Sequence, residues 1–149
     1  MTSLRPAGCG RQALVHVPLA YHELAGSAPV WLPFLERIAQ RSRNSVPELI
    51  AQLAQGDIAL HIAWDPEAKR AEALAAARIF LRGGKPVAEL CWCTGSGRHR
   101  WLPLLADIET YHRDHLGCVG MNAVARLGWR EDLKARGYRA THIVMEKSL

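Results

Sequence analysis

Residues 87–125 carry the feature that most limits the fold. "VAELCWCT" (87–94) alternates like a strand, and two glycines then break it in "GSGRHR" (95–100). "HRWLPLLADIETYHRDHLG" (99–117) repeats apolar residues at helical spacing, and "CVGMNAVA" (118–125) is strand-like again. A strand, a helix and a returning strand make a parallel crossover within one sheet. That excludes an all-helical bundle and a purely antiparallel sandwich.

The rest of the chain supplies the other layers. "ALVHVPL" (13–19) and "ALHIAWD" (59–65) read as strands. "VWLPFLERIAQRS" (30–42) reads as a helix with Trp31, Phe34, Leu35 and Ile38 on one face, and Pro33 in its first turn. "SVPELIAQLAQG" (45–56) is a second helix, with a Ser45–Glu48 capping box, Pro47 in the first turn and Gly56 as its stop. In the long helix over 99–117 the stripe is Trp101, Leu104, Leu105, Ile108, Tyr111 and His115, ended by Gly117. "GWREDLKARG" (128–137) reads as a short helix with Trp129 and Leu133 on one face, and "YRATHIVMEKSL" (138–149) alternates as a final strand. One segment conflicts with itself. "DPEAKRAEALAAARIFL" (65–81) has a helix start at Asp65–Pro66 and is rich in alanine, so propensity favours a helix. Yet "RGGKP" (82–86) reads as a hairpin connection, which requires a strand before it. Propensity alone does not decide between the two. The expected class is α+β, a single domain over residues 1–149 with one mixed central sheet.

Charge and composition narrow the function classes. The chain has 149 residues, 49% hydrophobic and 22% charged, enough for one core without disulfide or metal support. The net charge of +5 favours an anionic partner, but the positive residues are scattered. No contiguous basic face or tail indicates nucleic acid. No apolar run approaches the ~20 residues of a membrane span, and the N-terminus lacks a signal-peptide core. The expectation is a soluble, cytoplasmic protein whose four cysteines are thiols.

The loop at 93–100 has two readings. Gly95 and Gly97 would let the backbone close on a phosphate at a helix start, with Arg98, His99 and Arg100 adding charge. They would equally serve a plain strand-to-helix turn.

The order of elements resembles the GNAT superfamily of N-acetyltransferases. In that family the fourth strand is followed by a glycine-rich loop and a long helix, the place held here by "VAELCWCTGSGRHRWLPLLADIE" (87–109). The ending "ARLGWREDLKARGYRATHIVMEKSL" (125–149) also resembles the family, especially compact GNAT-like proteins of tailed phages and prophage elements. The resemblance covers most of the chain and is strongest from about residue 79 onward. It implies that 66–81 is a strand, that the sheet has about six strands with helices on both faces, and that the C-terminus is shortened.

It further implies acyl-CoA, in the first instance acetyl-CoA, as cofactor and an amine as acceptor. The cofactor would lie across Trp92, Cys93, Thr94, Gly95, Ser96, Gly97, Arg98, His99 and Arg100. Glu89, expected on one strand face with Cys91 and Cys93, is the candidate base; partial burial would raise its pKa. Three departures stand out. Trp92 occupies the place of the family's Arg or Gln before the glycines, Arg126 that of an Asn, and Leu133 that of the Tyr that returns a proton to the CoA thiolate. Tyr138 or Tyr111 is left as a substitute acid. These departures allow an alternative: a catalytically inactive GNAT-fold component of a phage particle, with other virion proteins as partners.

Other constellations carry less. Cys91 and Cys93 form a C-x-C pair with no second pair, and His112, His115 and Cys118 straddle a helix end where two of them could share a metal. The simpler readings are buried thiols and core positions. No metal site is assigned. The tryptophans at 31, 64, 92, 101 and 129 fall on apolar positions and read as core.

Overall fold

A computed structural model describes residues 13–149. The readings placed on the first twelve residues, including the thiol of Cys9 and the missing signal-peptide core, lie outside the described residues.

The sheet has five strands in sequential order. β1 (Val15–Leu19), β2 (Ile58–Asp65), β3 (Arg70–Arg82) and β4 (Lys85–Gly95) pair antiparallel in turn, and β5 (Gly120–Ala123) joins β4 in parallel. The parallel crossover expected from residues 87–125 is therefore present. α1 (Ala28–Arg41) and α2 (Val46–Ala54) cover one face of the sheet. α3 (Arg98–Trp101) and α4 (Leu105–Asp114) cover the other, and α5 (Arg130–Lys134) follows β5. The α1/α2 face holds the larger core: Trp31, Phe34, Leu35, Ile38, Leu49 and Leu53 pack on Leu60, Ile62, Leu74, Ala76 and Trp92. Each fully buried leucine there contributes roughly 2 kcal/mol of transfer free energy.

The alanine-rich conflict resolves as a strand, for a visible local reason. Asp65 accepts backbone N–H bonds from Glu67 and Ala68, both at 3.0 Å, as a helix cap would. The turn then ends at Lys69, whose φ of 52° is left-handed, and the chain reverses into β3. Ala73, Ala76 and Ala77 are buried in mid-sheet, where small side chains let helices approach both faces. At the far end of β3, Gly83 and Gly84 both take positive φ (57° and 77°), the two-residue turn that matches strand twist. The capping box at Ser45 and Glu48 forms as read.

Three expectations need correction. The helix over 99–117 is broken: α3 ends at Trp101, Leu102–Leu104 form a 3-10 turn around Pro103, and α4 resumes at Leu105. The tighter turn rotates the buried stripe to Trp101, Leu102, Leu105, Ile108 and His112, while His115 is exposed at the helix end. The helix expected over 128–137 is shorter, a 3-10 turn at Leu127–Trp129 followed by α5. The final strand expected in 138–149 is absent, which leaves five strands rather than six. After the Tyr138 N–H bond to the Leu133 carbonyl, those residues form no backbone bond to another segment among the described residues.

Candidate active site

β4 carries the site because of one inserted residue. Ala76 pairs with Trp92 and Ala77 with Leu90, so Cys91 is a bulge residue without a partner. Cys91 and Trp92 both pack toward the α1/α2 core, whereas Cys93 lines the opposite side with His61, Trp101 and Ile108. The expectation that Glu89, Cys91 and Cys93 share one face therefore fails for Cys93. Burial pushes the Cys91 thiol up to about 11, so it is a packing group rather than a nucleophile.

The bulge also coincides with the end of strand pairing. β4 and β5 pair from Val87↔Gly120 to Leu90↔Ala123, and the Val124 N–H still reaches the Leu90 carbonyl at 3.4 Å. Beyond Leu90, β4 runs on to Gly95 with its β5-side edge unpaired among the described residues. A parallel pair that opens in this way leaves backbone groups free to meet a ligand.

The two glycines at the end of β4 answer to different constraints. A Cβ on Gly95 would fall 2.7 Å from the Glu72 carbonyl oxygen and 2.8 Å from Ala73 Cα, so this glycine is required by close strand packing. Gly97 has open space around it but a φ of 68°, so it is required by a left-handed turn. The Ser96 N–H is used by the Glu72 carbonyl at 3.2 Å and the Arg100 N–H by the Gly97 carbonyl at 2.8 Å. The N–H groups of Gly97, Arg98 and His99 have no partner among the described residues.

The basic residues of the loop differ sharply. Arg100 is 19% exposed and turns inward, 3.1 Å from Asp65 and 3.9 Å from Glu72, which also binds Arg70 at 2.7 Å. The Ala68 N–H foremost, then Arg100, holds the Asp65 carboxyl below its usual range. Arg98 donates to Asp132 at 3.1 Å and to the Gly128 carbonyl at 3.3 Å, with its guanidinium 4.4 Å over the Trp129 ring. His99 is exposed. Arg98, His99 and Arg136 line a shallow open depression beside Leu102 and Asp132. Trp92 and Thr94 are buried, and their side chains belong to the core.

Glu89 and Tyr138 are not brought together. Glu89 is half-buried on the α1/α2 side, paired across the strands with Arg78, which donates to Gln52 at 2.8 Å. Tyr138 is bound from the other side, donating to Glu109 of α4 at 2.9 Å; burial first, then Glu109, pushes its phenol pKa up. Tyr111, the other candidate acid, lies among histidine rings, 5.4 Å from that of His61 and 5.1 Å from that of His115.

One cluster escaped the sequence reading. His16 Nε2 meets His61 Nδ1 at 2.8 Å, and His61 Nε2 meets His112 Nε2 at 2.9 Å, linking β1, β2 and α4. His112 Nδ1 faces Cys118 Sγ at 3.9 Å. Burial lowers all three histidines, His112 to about 4 and His61 well below its usual value, with neighbouring imidazoles adding to the effect at these two. The bonds leave from opposite nitrogens of His61, so the rings form a chain rather than converge. No group of three or more His, Cys, Asp or Glu is arranged for a metal among the described residues. The available signal was strand parity: His16 and His61 each fall on the face that receives the crossover helix.

No protein-family model matches the sequence, and no curated protein matches it. Solved structures match over nearly the whole chain. An acetyltransferase of Trypanosoma brucei is 20% identical with a TM-score of 0.64, covering 91% of this chain and 99% of its own. Glucosamine-6-phosphate N-acetyltransferase from Arabidopsis thaliana is 14% identical with a TM-score of 0.60, covering 92% and 99%. An aminoglycoside acetyltransferase from an uncultured soil metagenomic sample, solved with sisomicin, is 13% identical with a TM-score of 0.64, covering 91% and 96%. At these identities the likeness is one of fold: the chain has the mixed α+β fold of GNAT-type acetyltransferases. Among the described residues no helix is long and apolar enough to cross a membrane.

Proposed function

We propose that this chain is an acyl-CoA-dependent N-acyltransferase that moves an acyl group, acetyl in the first instance, to an amine. The observation that carries the reading is the opening of β4 from β5 after Leu90, which ends at a turn with three unused N–H groups. That turn fits a pyrophosphate: Gly97, Arg98 and His99 would hold it through their backbone, with the Arg98 and Arg136 side chains beside them. Arg100 acts from behind, fixing the turn to β2 and β3 through Asp65 and Glu72. The main chain of Trp92, Cys93, Thr94, Gly95 and Ser96, on the free edge of β4, would form the wall along which the cofactor's arm runs.

Bound acyl-CoA supplies a thioester whose carbonyl carbon is open to attack. The free edge of β4 beyond Leu90 points N–H groups into the opening, where they polarise such a carbonyl. Glu89 takes the proton of the attacking amine, directly or through water. Tyr138 is the candidate proton donor to the departing thiolate. Its raised pKa keeps the phenol protonated but makes it a weaker acid than an ordinary tyrosine. Tyr138→Phe therefore separates the two sources: a large loss of kcat assigns the proton to Tyr138, and an unchanged kcat assigns it to solvent.

The arginines weigh toward a second reading, a catalytically inactive chain with the same fold, of which a component of a phage particle is one form. Arg98 and Arg100 are both held by carboxylates of the chain itself. Calorimetry with acetyl-CoA decides between the two readings. Micromolar binding that Gly97→Glu abolishes, in a variant that still unfolds cooperatively, supports the enzyme. Absence of heat at near-millimolar cofactor reduces the loop to a structural turn and leaves the particle role.

A further inference from the structure

Both arginines of the glycine turn are held by carboxylates, but the two pairs are not alike. The Arg100 side chain is 19% exposed, and those of its partners Asp65 and Glu72 are 4% and 8% exposed. Breaking that buried network would strand a charge, so it is a fixed part of the fold. The side chains of Arg98 and Asp132, 3.1 Å apart, are 43% and 40% exposed. An ion pair this open to water contributes little and can exchange partners.

Arg98 also holds down the segment that carries Asp132. Its guanidinium donates to the Gly128 carbonyl at 3.3 Å and lies 4.4 Å over the Trp129 ring. Trp129 in turn packs on Trp101, with ring centres 5.5 Å apart. No residue of α5 is buried. Apart from the bonds of Arg98, residues 127–137 make no hydrogen bond or ion pair to a distant segment among the described residues. α5 thus depends on the Arg98 grip and on Trp129 to stay docked. Asp132 and Arg98 line the same open depression, next to the unused N–H groups of Gly97, Arg98 and His99. A carboxylate of the chain stands where an anionic ligand would sit, on the cation such a ligand would use.

We propose that Asp132 is a resident anion that sets the affinity of this turn for the donor's phosphates, with Arg98 as a two-position latch. In the empty site Arg98 grips Asp132 and pins α5. An arriving pyrophosphate takes Arg98 over through charge-assisted bonds, and α5 is released. When the product departs, Asp132 recaptures Arg98, so the same carboxylate speeds release of the spent cofactor. Linkage makes the coupling reciprocal: whatever the latch adds to the docking of α5, the ligand must overcome. The inference rests on the phosphate reading of the turn.

The test is calorimetry with CoA and acetyl-CoA on the full chain, Asp132→Asn, Arg98→Gln and the double variant. Asp132 is half-exposed and asparagine keeps its shape, so the variant should fold. It should bind up to about fivefold tighter, the scale of one exposed ion pair, and release CoA more slowly in stopped flow. In the Arg98→Gln background the same substitution should gain much less, because no latch is left to undo. Amide hydrogen exchange gives a second readout. Cofactor should speed exchange over residues 129–136 of the full chain, where an ordinary bound ligand would slow it. Three outcomes overturn the latch while the phosphate turn stands. An equal gain in both backgrounds makes Asp132 a mere like charge. Unchanged or weaker binding by Asp132→Asn shows that carboxylate and ligand do not compete. Slower exchange over α5 on binding shows that the ligand does not free it. If neither the full chain nor Asp132→Asn binds either cofactor, the phosphate turn itself fails, and the latch with it.

Discussion

At the scale of single residues, the glycine loop makes the sharpest statement. Gly95 is excluded from change by volume and Gly97 by backbone conformation. Gly95→Ala forces a Cβ into the β3 backbone and should destabilise by about 2 kcal/mol. Gly97→Ala meets open space and should cost about 1 kcal/mol from the left-handed φ alone. Urea unfolding of the two variants checks the order. Arg100→Gln should lower the Tm, because Asp65 and Glu72 lose their shared cation. If Arg100 works only from behind the turn, the variant's acetyl-CoA affinity should change little beside that of an Arg98 variant. A glycine-x-glycine with arginines was readable in the sequence, but which arginine faces inward was not. That depends on Asp65, thirty-five positions away, reaching the same point.

At the scale of elements, the histidine chain ties β1 and β2 to α4 and makes their contact acid-sensitive. Each imidazole has a folded pKa below the ordinary 6.5, so the unfolded chain binds more protons as pH falls. Stability from these groups is complete above pH 6.5 and is lost progressively toward about pH 4, where His112 itself titrates. Asp107 near His16 opposes the shift there, and burial keeps the Cys93 and Cys118 thiols uncharged. Denaturant midpoints across that range should fall steadily, and His112→Phe should flatten the profile. At α2 the expectation is simpler: Ser45→Ala should cost about 1 kcal/mol by removing the capping box.

The same elements show where sequence reading holds. α1, α2, β1, β2 and β4 were legible from periodicity because each presents one face to one core. The alanine segment was not, since alanine is the best helix former and β3 is decided by a turn and two neighbouring strands. The final strand was misread for the converse reason. Its alternation is present, but the segment pairs with no strand among the described residues.

At the scale of the whole molecule, the sheet divides two unequal cores, and the larger lies under α1 and α2. Leu35→Ala, at a fully buried position, should cost about 3 kcal/mol and serves as the reference for global stability. The bulge at Cys91 sets how the two sides communicate. Leu90 faces one core, Cys91 and Trp92 the other, and Cys93 the first again. Deleting Cys91 would leave Leu90, Trp92 and Cys93 in simple alternation, each on its present side. Deleting Leu90 or Cys93 would send the following residues to the wrong side, and deleting Trp92 would keep the alternation but remove a large buried side chain from the α1/α2 core. β4 thus has one position where a lost codon spares both the alternation and the large core side chains, and that position sits where β4 parts from β5. A chain without Cys91 should fold and keep its cores, yet be free to pair β4 with β5 past Leu90. In an acyltransferase lineage, such a deletion would retire the chemistry in one step while leaving a sound scaffold behind.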